Sequence, residues 1–460
     1  MGAFKSYDIR GVYPTEIDAT LGRKIGIGLG RLLSELPENQ GKKDLKVVVG
    51  RDMRLSAPEL AGALIDGLRT SGVHVHDIGM VTTPCTYFAT QKLGADGGIM
   101  CTASHNPPQY IGFKVTRELA IPISHNTGLG EVERRIDEPA PKVNQGKLDT
   151  VDMDDAYIDF LVSLGKNLKP IKVAADASNG MAGKFLPKLF DKLPCQLEGI
   201  FLEPDGRFPN HEADPLKTEN LKDVIELVHK TKSDIGFCFD GDADRVAIVD
   251  EKGQIVGCDL ITALIAEHLL KDHPGKPVTY DLRSSKIVRD VIAKAGGKPV
   301  RSRVGHAHVK QEMRKIGALC GGELSGHYYF RLQGEATFYA DSALVATMHL
   351  LNILSQTGKT VSQLIDPMRK YFHTGEVNFK VEDKDAAIAD VSKTFADGKQ
   401  DTLDGVTIEY PNWWVNVRPS NTEPLLRLTL EGDTPELRDA GYEKVVKILS
   451  KYGSLHKGGH

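Results

Sequence analysis

The chain has 460 residues, 40% of them hydrophobic and 26% charged, with a net charge of −4. That composition is ordinary for a soluble globular protein and leaves length for several cores, three or four domains being the expectation. The acidic total argues against a surface devoted to nucleic acid or anionic membrane, while leaving room for a local basic cleft around a small phosphorylated ligand.

No stretch reaches the roughly 18 uninterrupted apolar residues of a membrane span. The first residues, Met1 to Arg10, lack the apolar core of a signal peptide, and their match to a loose myristoylation pattern has no polybasic or second-lipid companion. Six cysteines, Cys85, Cys101, Cys195, Cys238, Cys258 and Cys320, show no C-x-x-C spacing and read as buried thiols in a reducing, cytoplasmic setting. The run Gly26-Ile-Gly28-Leu-Gly30 follows no strand directly, so its glycines are expected to let a helix pack closely rather than to cradle a dinucleotide. Leu45–Val49 reads as a strand and Ala57–Ser71 as a helix with Leu60, Leu64 and Leu68 on one face. Val73–Ile78 and Gly98–Cys101 are further strands.

Thr102-Ala-Ser104-His105-Asn106-Pro107-Pro108 follows that last strand directly. A serine at a strand end, among small residues and before Pro-Pro, is expected on a rigid turn where a nucleophile or phosphate carrier belongs. Ser104 beside His105 also suggests a hydrolase, but the G-x-S-x-G elbow is absent and sequence neighbours usually point apart. The polar, proline-bearing stretch 137–146 reads as a linker.

A second strand–helix alternation opens at Ile171–Asp176 and ends at Asp240-Gly-Asp242-Ala-Asp244-Arg245. The flanks 233–239 and 246–249 read as short buried strands, so three carboxylates at alternate positions crowd a tight turn. Such crowding costs energy unless a cation neutralises it, and oxygen-only ligands suit Mg²⁺ or Ca²⁺ rather than zinc. With Glu251 the spacing overlaps an EF-hand loop. Arg245, however, stands where that loop needs glycine, and the flanks are strand-like rather than helical.

A third alternation runs from Gln254–Val256 through Val278–Tyr280 and the helix Ile287–Ala293 to near Met368. The repeated pattern predicts layered α/β architecture. The C-terminal stretch differs. Val377–Val381, Thr407–Tyr410, Trp414–Val417 and Leu425–Leu430 alternate as strands, with helices near Asp385–Phe395 and Pro435–Lys451, giving a small α+β unit with a largely antiparallel sheet.

Taken in order, several motifs resemble those of the α-D-phosphohexomutase superfamily, specifically the phosphomannomutase/phosphoglucomutase group. They are Tyr7-Asp-Ile-Arg10, Gly50-Arg51-Asp52-x-Arg54-x-Ser56, the Ser104 loop with Gly112-Phe-Lys114, and Asp240–Arg245. After these come Gly305-His306, Gly322-Glu323-Leu324-Ser325-Gly326-His327 and Arg418-Pro-Ser420-Asn421-Thr422-Glu423-Pro424. The resemblance spans nearly the whole chain. It implies three successive α/β/α-layered domains with mixed sheets plus the C-terminal α+β domain, arranged around a central cleft. The expected bounds are 1–145, 146–252, 253–367 and 368–460.

The same resemblance implies a phosphoserine at Ser104, with Asp240, Asp242 and Asp244 holding Mg²⁺ together with an oxygen of that phosphoserine. Lys114 is implied as the base toward the sugar hydroxyl, in a cationic cleft that would lower its pKa, with His306 as second candidate. Arg245 and Arg283 would steer phosphate oxygens, although the family often has lysine where Arg283 stands. Tyr7 and Arg10 would lie on the substrate side, and Glu323 and Ser325 would read sugar hydroxyls. Arg418, Ser420, Asn421 and Thr422, with Arg427 assisting, would hold the non-reacting phosphate.

The implied activity interconverts the 1- and 6-phosphates of mannose or glucose through a bound hexose 1,6-bisphosphate, which also serves as activator. The implied partners are small sugar phosphates, with neither nucleic acid nor membrane, in a monomer or homodimer. Leu324 stands where the glucosamine-specific branch carries glutamine, which leaves phosphoglucosamine mutase as the alternative. A catalytically silent sugar-phosphate-binding protein on the same scaffold is another. Ile111 replaces the family's usual asparagine and is expected to alter packing of the serine loop.

Overall fold

The computed structural model describes residues 2–420 and 425–456, and the chain divides into two compact units. The first comprises Met1–Val256 with Ser325–Ser362, and the second Gly257–Leu324 with Gln363–His460. Among the described residues, no helix is long and apolar enough to cross a membrane.

The first unit opens on a mixed sheet in the order Ile9–Val12, Tyr110–Arg117, Gly97–Cys101, Lys46–Arg51, His74–Met80 and Leu148–Thr150. Its middle strands are parallel, and Tyr110–Arg117 and Ile9–Val12 close one side antiparallel. Parallel pairing needs crossovers, which the helices Ala57–Thr70 and Thr83–Lys92 supply. The helix Ala19–Glu35, capped by the Asp18 side chain on the Leu21 amide, packs on Ala57–Thr70. Gly26 makes that approach possible, since a Cβ there would lie 2.2 Å from the Leu64 carbonyl oxygen. Close helix packing, not nucleotide binding, is thus the use of this glycine.

A second mixed sheet runs Ile255–Val256, Val246–Asp250, Ile235–Phe239, Lys172–Asp176 and Gln196–Ile200. Ile235–Phe239 and Val246–Asp250 are buried at every position, as their unbroken apolar runs require. The antiparallel hairpin Tyr328–Gln333 and Thr337–Asp341, followed by the buried helix Ala343–Thr357, completes the unit.

In the second unit, Pro277–Asp281 lies between parallel strands Lys298–Ser302 and Cys320–Gly322. The helices Cys258–Asp272, Lys286–Lys294 and His306–Ile316 accompany them. A six-stranded sheet follows, antiparallel at every pairing, with the helices Lys384–Thr394 and Pro435–Leu449. The α/β class with mixed sheets and a closing antiparallel α+β part is as expected. The six cysteines are free and buried.

Candidate active site

The carboxylate turn lies between two antiparallel strands in register from Ile235↔Asp250 to Phe239↔Val246. It is tightened by the Asp240 amide donating to the Arg245 carbonyl at 3.2 Å and the Arg245 amide donating to Asp240 Oδ1 at 3.1 Å. Gly241 is where this turn meets the serine loop. A Cβ at that position would lie 2.5 Å from the Ser104 carbonyl oxygen, so no larger residue fits without moving one loop.

Ser104 has φ of 51°, a left-handed conformation uncommon outside glycine, asparagine and aspartate, and its amide donates to Thr102 Oγ1 at 2.8 Å. Its hydroxyl donates to Asp240 Oδ2 at 2.6 Å, and Arg245 Nη2 donates to the same hydroxyl oxygen at 3.3 Å. His105 Nδ1 is 3.5 Å away, beyond a useful bond to that hydroxyl, and burial with Arg245 and Arg10 nearby pushes its pKa well below the ordinary range. The hydroxyl hydrogen thus goes to a carboxylate, and the Ser–His hydrolase reading loses its geometry.

The loop is held from beneath by Arg54, which has no exposed surface. Its guanidinium donates to the carbonyls of Ser104, Asn106, Pro107 and Tyr110 at 2.6–2.9 Å and lies 3.2 Å from Asp52. Asp52 in turn accepts from Thr102 Oγ1 at 2.7 Å. Arg54→Met would remove the guanidinium donor from four carbonyls and the counter-ion from the buried Asp52 carboxylate. We expect unfolding free energy to fall by about 3–5 kcal/mol, measurable by denaturant titration. A fall below about 1 kcal/mol would show that the loop holds itself.

Asp240, Asp242 and Asp244 are all buried, with one oxygen from each lying within 4.8 Å of the others. Burial, then repulsion from Asp244 and Asp242, pushes the Asp240 carboxyl well above its usual range, more than Arg245 and Lys114 offset. Burial works against the charge of Asp244 as well, but Lys114 and His327 outweigh it and hold that carboxyl low. Asp242 Oδ1 and Asp244 Oδ1 are buried without a hydrogen-bond donor. Oxygen-only donors, crowded charge and two unsatisfied carboxylate oxygens fit a hard divalent ion such as Mg²⁺.

Lys114, on Tyr110–Arg117, reaches this turn, donating to Asp242 Oδ2 at 2.7 Å and to Asp244. The expectation of a cationic cleft is corrected here. Burial does push Lys114 down, but the carboxylates of Asp242 and Asp244 outweigh it and hold the ammonium well above its ordinary value. Arg10, on Ile9–Val12, donates to Asn106 Oδ1 at 2.5 Å and to Asp8 at 2.6 Å, bracing the serine loop. Ile111 is fully buried opposite Gly11, so it joins the core rather than the loop surface.

Ser325 is also in this unit, its hydroxyl 2.9 Å from His327 Nδ1, and His327 Nε2 stands 3.5 Å from Asp244 Oδ1. His327 was not singled out from sequence, although its place at the end of Gly-Glu-Leu-Ser-Gly-His offered the signal. Tyr7 belongs to the same unit.

The remaining site residues fall in the second unit. Glu323 Oε1 accepts from the Gly305 amide at 2.7 Å, one residue before His306 opens its helix. Arg283 donates to Asp281 at 2.6 Å, and Glu376 gathers Arg418 at 2.6 Å, Arg427 at 2.8 Å and Arg283 at 3.5 Å. Burial opposes a charge on Glu376, yet Arg283, Arg418 and Arg427 outweigh it and bring the carboxyl down to about 2. Glu376 had no local sequence signal, because its partners lie tens of residues away. Ser420 follows the strand Trp413–Pro419 with its amide donating to the Leu425 carbonyl at 2.8 Å, while Asn421 and Thr422 lie outside the described residues.

Comparison with known proteins adds an independent line. The chain matches models described as phosphoglucomutase/phosphomannomutase, alpha/beta/alpha domains I, II and III, over residues 1–142, 155–253 and 258–371. The C-terminal domain model of the same group matches residues 376–447. A phosphomannomutase of Methanocaldococcus jannaschii is 38% identical over 97% of each chain. A phosphomannomutase/phosphoglucomutase of Pseudomonas syringae is 38% identical over 94% of this chain and 91% of its own. A crystal structure of a phosphoglucomutase/phosphomannomutase family protein from Burkholderia thailandensis superposes with a TM-score of 0.89 at 35% identity over 98% of both chains.

Proposed function

The chain belongs to the phosphoglucomutase/phosphomannomutase family and is a phosphohexomutase, and from that membership we propose that it works through a phosphoserine at Ser104. The substrates we assign are the 1- and 6-phosphates of mannose, glucose or both, with Leu324 in place of glutamine arguing against glucosamine phosphate. In the forward half-reaction the Ser104 Oγ–P bond breaks as a sugar hydroxyl oxygen bonds to phosphorus and loses its proton to a base. The product is the hexose 1,6-bisphosphate. After reorientation its other phosphoryl group returns to Ser104 Oγ.

The observation that carries this reading is the serine hydroxyl, held 2.6 Å from Asp240 and 3.3 Å from Arg245 on a turn anchored by Arg54. We assign Asp240, Asp242 and Asp244, with an oxygen of phospho-Ser104, to Mg²⁺. A divalent ion bound there would offset charge on the transferring phosphoryl oxygens. Arg245 steers those oxygens, and Arg10 and Tyr7 line the substrate side. We assign the hydroxyl proton to Lys114 by position, its Nζ being bonded to the same turn as Ser104. To act as a base it must first lose its own proton, which a divalent ion offsetting the Asp242 and Asp244 charge would favour. His306 holds the same assignment on resemblance alone. Glu323 and Ser325 read the sugar hydroxyls, and Arg283, Arg418, Ser420 and Arg427 serve phosphate.

Intact-mass analysis tests the reading. The isolated protein should carry one phosphoryl group on Ser104. Mannose 1-phosphate or glucose 1-phosphate should discharge it as the bisphosphate, and glucosamine 1-phosphate should discharge it much more slowly. A protein that turns the sugar over but never carries phosphate on Ser104 would overturn the covalent route. Faster discharge by the glucosamine phosphate would overturn the substrate assignment.

A further inference from the structure

Away from the acidic turn, the strand His74–Met80 carries two histidines at alternate positions, which strand geometry places on one face of the sheet. Their rings lie 4.8 Å apart between centroids at an interplanar angle of 40°. The edge strand Leu148–Thr150 pairs parallel with this strand and sets Asp149 directly beside His76. Asp149 Oδ2 is 2.8 Å from His74 Nε2 and 3.9 Å from His76 Nδ1, and one potential ligand atom from each of the three residues lies within 4.8 Å of the others. Neighbouring ligand atoms around a tetrahedral zinc ion are about 3.3 Å apart, given metal–ligand distances near 2.0–2.1 Å. The two distances from Asp149 bracket that spacing.

Two further observations separate this cluster from a surface ion pair. His76 Nδ1 is buried with no hydrogen-bond partner, so the second imidazole offers a lone pair that the Asp149–His74 contact does not use. The strand that carries Asp149 is three residues long and exposed throughout, which makes it a weakly held edge. We propose that His74, His76 and Asp149 form a second metal site, for a divalent transition ion of the zinc type, which staples the strand Leu148–Thr150 to the sheet. Two imidazoles and one carboxylate favour such an ion over Mg²⁺, which prefers oxygen ligands and sits poorly with nitrogen. The fourth position is left to water. The site shares no residue with the acidic turn and does not depend on the phosphoserine reading.

The test is a calorimetric titration of the full chain with Zn²⁺ in excess Mg²⁺, repeated on His76→Ala and Asp149→Asn. The parent should show a saturable site. Each substitution should weaken it by at least the roughly 10–100-fold that losing even an outer-shell partner of a metal costs. Zn²⁺ should slow amide exchange across residues 147–151 in the parent and not in the variants. Asp149→Asn alters only an exposed side chain, so its fold and its Mg²⁺-supported turnover should match the parent. Zn²⁺ affinity unchanged in both variants would overturn the proposal, as would a parent that binds no Zn²⁺ in excess Mg²⁺.

Discussion

Replacing Ser104 by alanine is expected to cut phosphoryl exchange by on the order of 10⁴-fold or more, the scale on which removing a covalent nucleophile acts. The loss should be in kcat. Binding of the sugar phosphate, measured by calorimetry, should change little, because the side chains assigned to the sugar and the non-reacting phosphate are untouched. Another hydroxyl bonded to the acidic turn is that of Thr83, which donates to Asp242 at 2.5 Å. It cannot take over the role, since Thr83 is fully buried whereas Ser104 keeps a small exposed surface. The alanine variant should also be folded as well as its parent, because the loop is fixed by Arg54 through backbone carbonyls rather than through the hydroxyl. Exchange retained in full would sink the phosphoserine assignment, and lost sugar-phosphate binding would show that Ser104 serves recognition instead.

The second expected result concerns Asp242, which shares its turn with two other buried carboxylates. Asp242→Asn should lower turnover by roughly 10²–10³-fold, the range seen when one preorganised charge-stabilising group is removed. Its effect on stability should have the opposite sign. Three buried carboxylates share one turn, and repulsion from Asp242 is part of what pushes Asp240 upward. Asparagine keeps the size and an oxygen that still accepts from Thr83 and Lys114, while removing a charge. The metal-free variant should therefore unfold at or above the parent's temperature, and the rise that Mg²⁺ gives the parent should shrink. The check is thermal unfolding of both proteins with and without Mg²⁺, beside steady-state rates. A variant that loses activity and metal-free stability together would mean that Asp242 is a structural anchor and not a ligand.

Much of this site could be read before any fold was available, and the reasons are local. Asp240, Asp242 and Asp244 alternate on a turn between two apolar runs, and no ordinary surface needs that pattern. Ser104 follows a strand directly and precedes two prolines, so its place on a rigid turn was legible. What escaped depends on which distant segments become neighbours. Lys114 sits on a strand whose position beside the acidic turn is set by sheet order, so the carboxylates that hold its ammonium could not be read from the residues around it in sequence. Arg54 stands fifty or more positions from the carbonyls it holds, and Glu376 meets its arginines only through pairing of the final sheet and the turn after Asp281. The fold class was plain because period-two and helical patterning are properties of short windows. Charge complementarity across the fold is not such a property.

The left-handed backbone at residue 104 reaches beyond packing. Threonine hydroxyls carry phosphate through the same chemistry as serine hydroxyls, and a kinase-type substrate could use either. Here the two are not equivalent. A branched Cβ is poorly accommodated at φ of 51°, so threonine would reach this turn only under strain, whereas serine enters it at lower cost. If Ser104 carries the phosphate as proposed, the choice of serine over threonine there follows from main-chain geometry rather than from the reactivity of the oxygen.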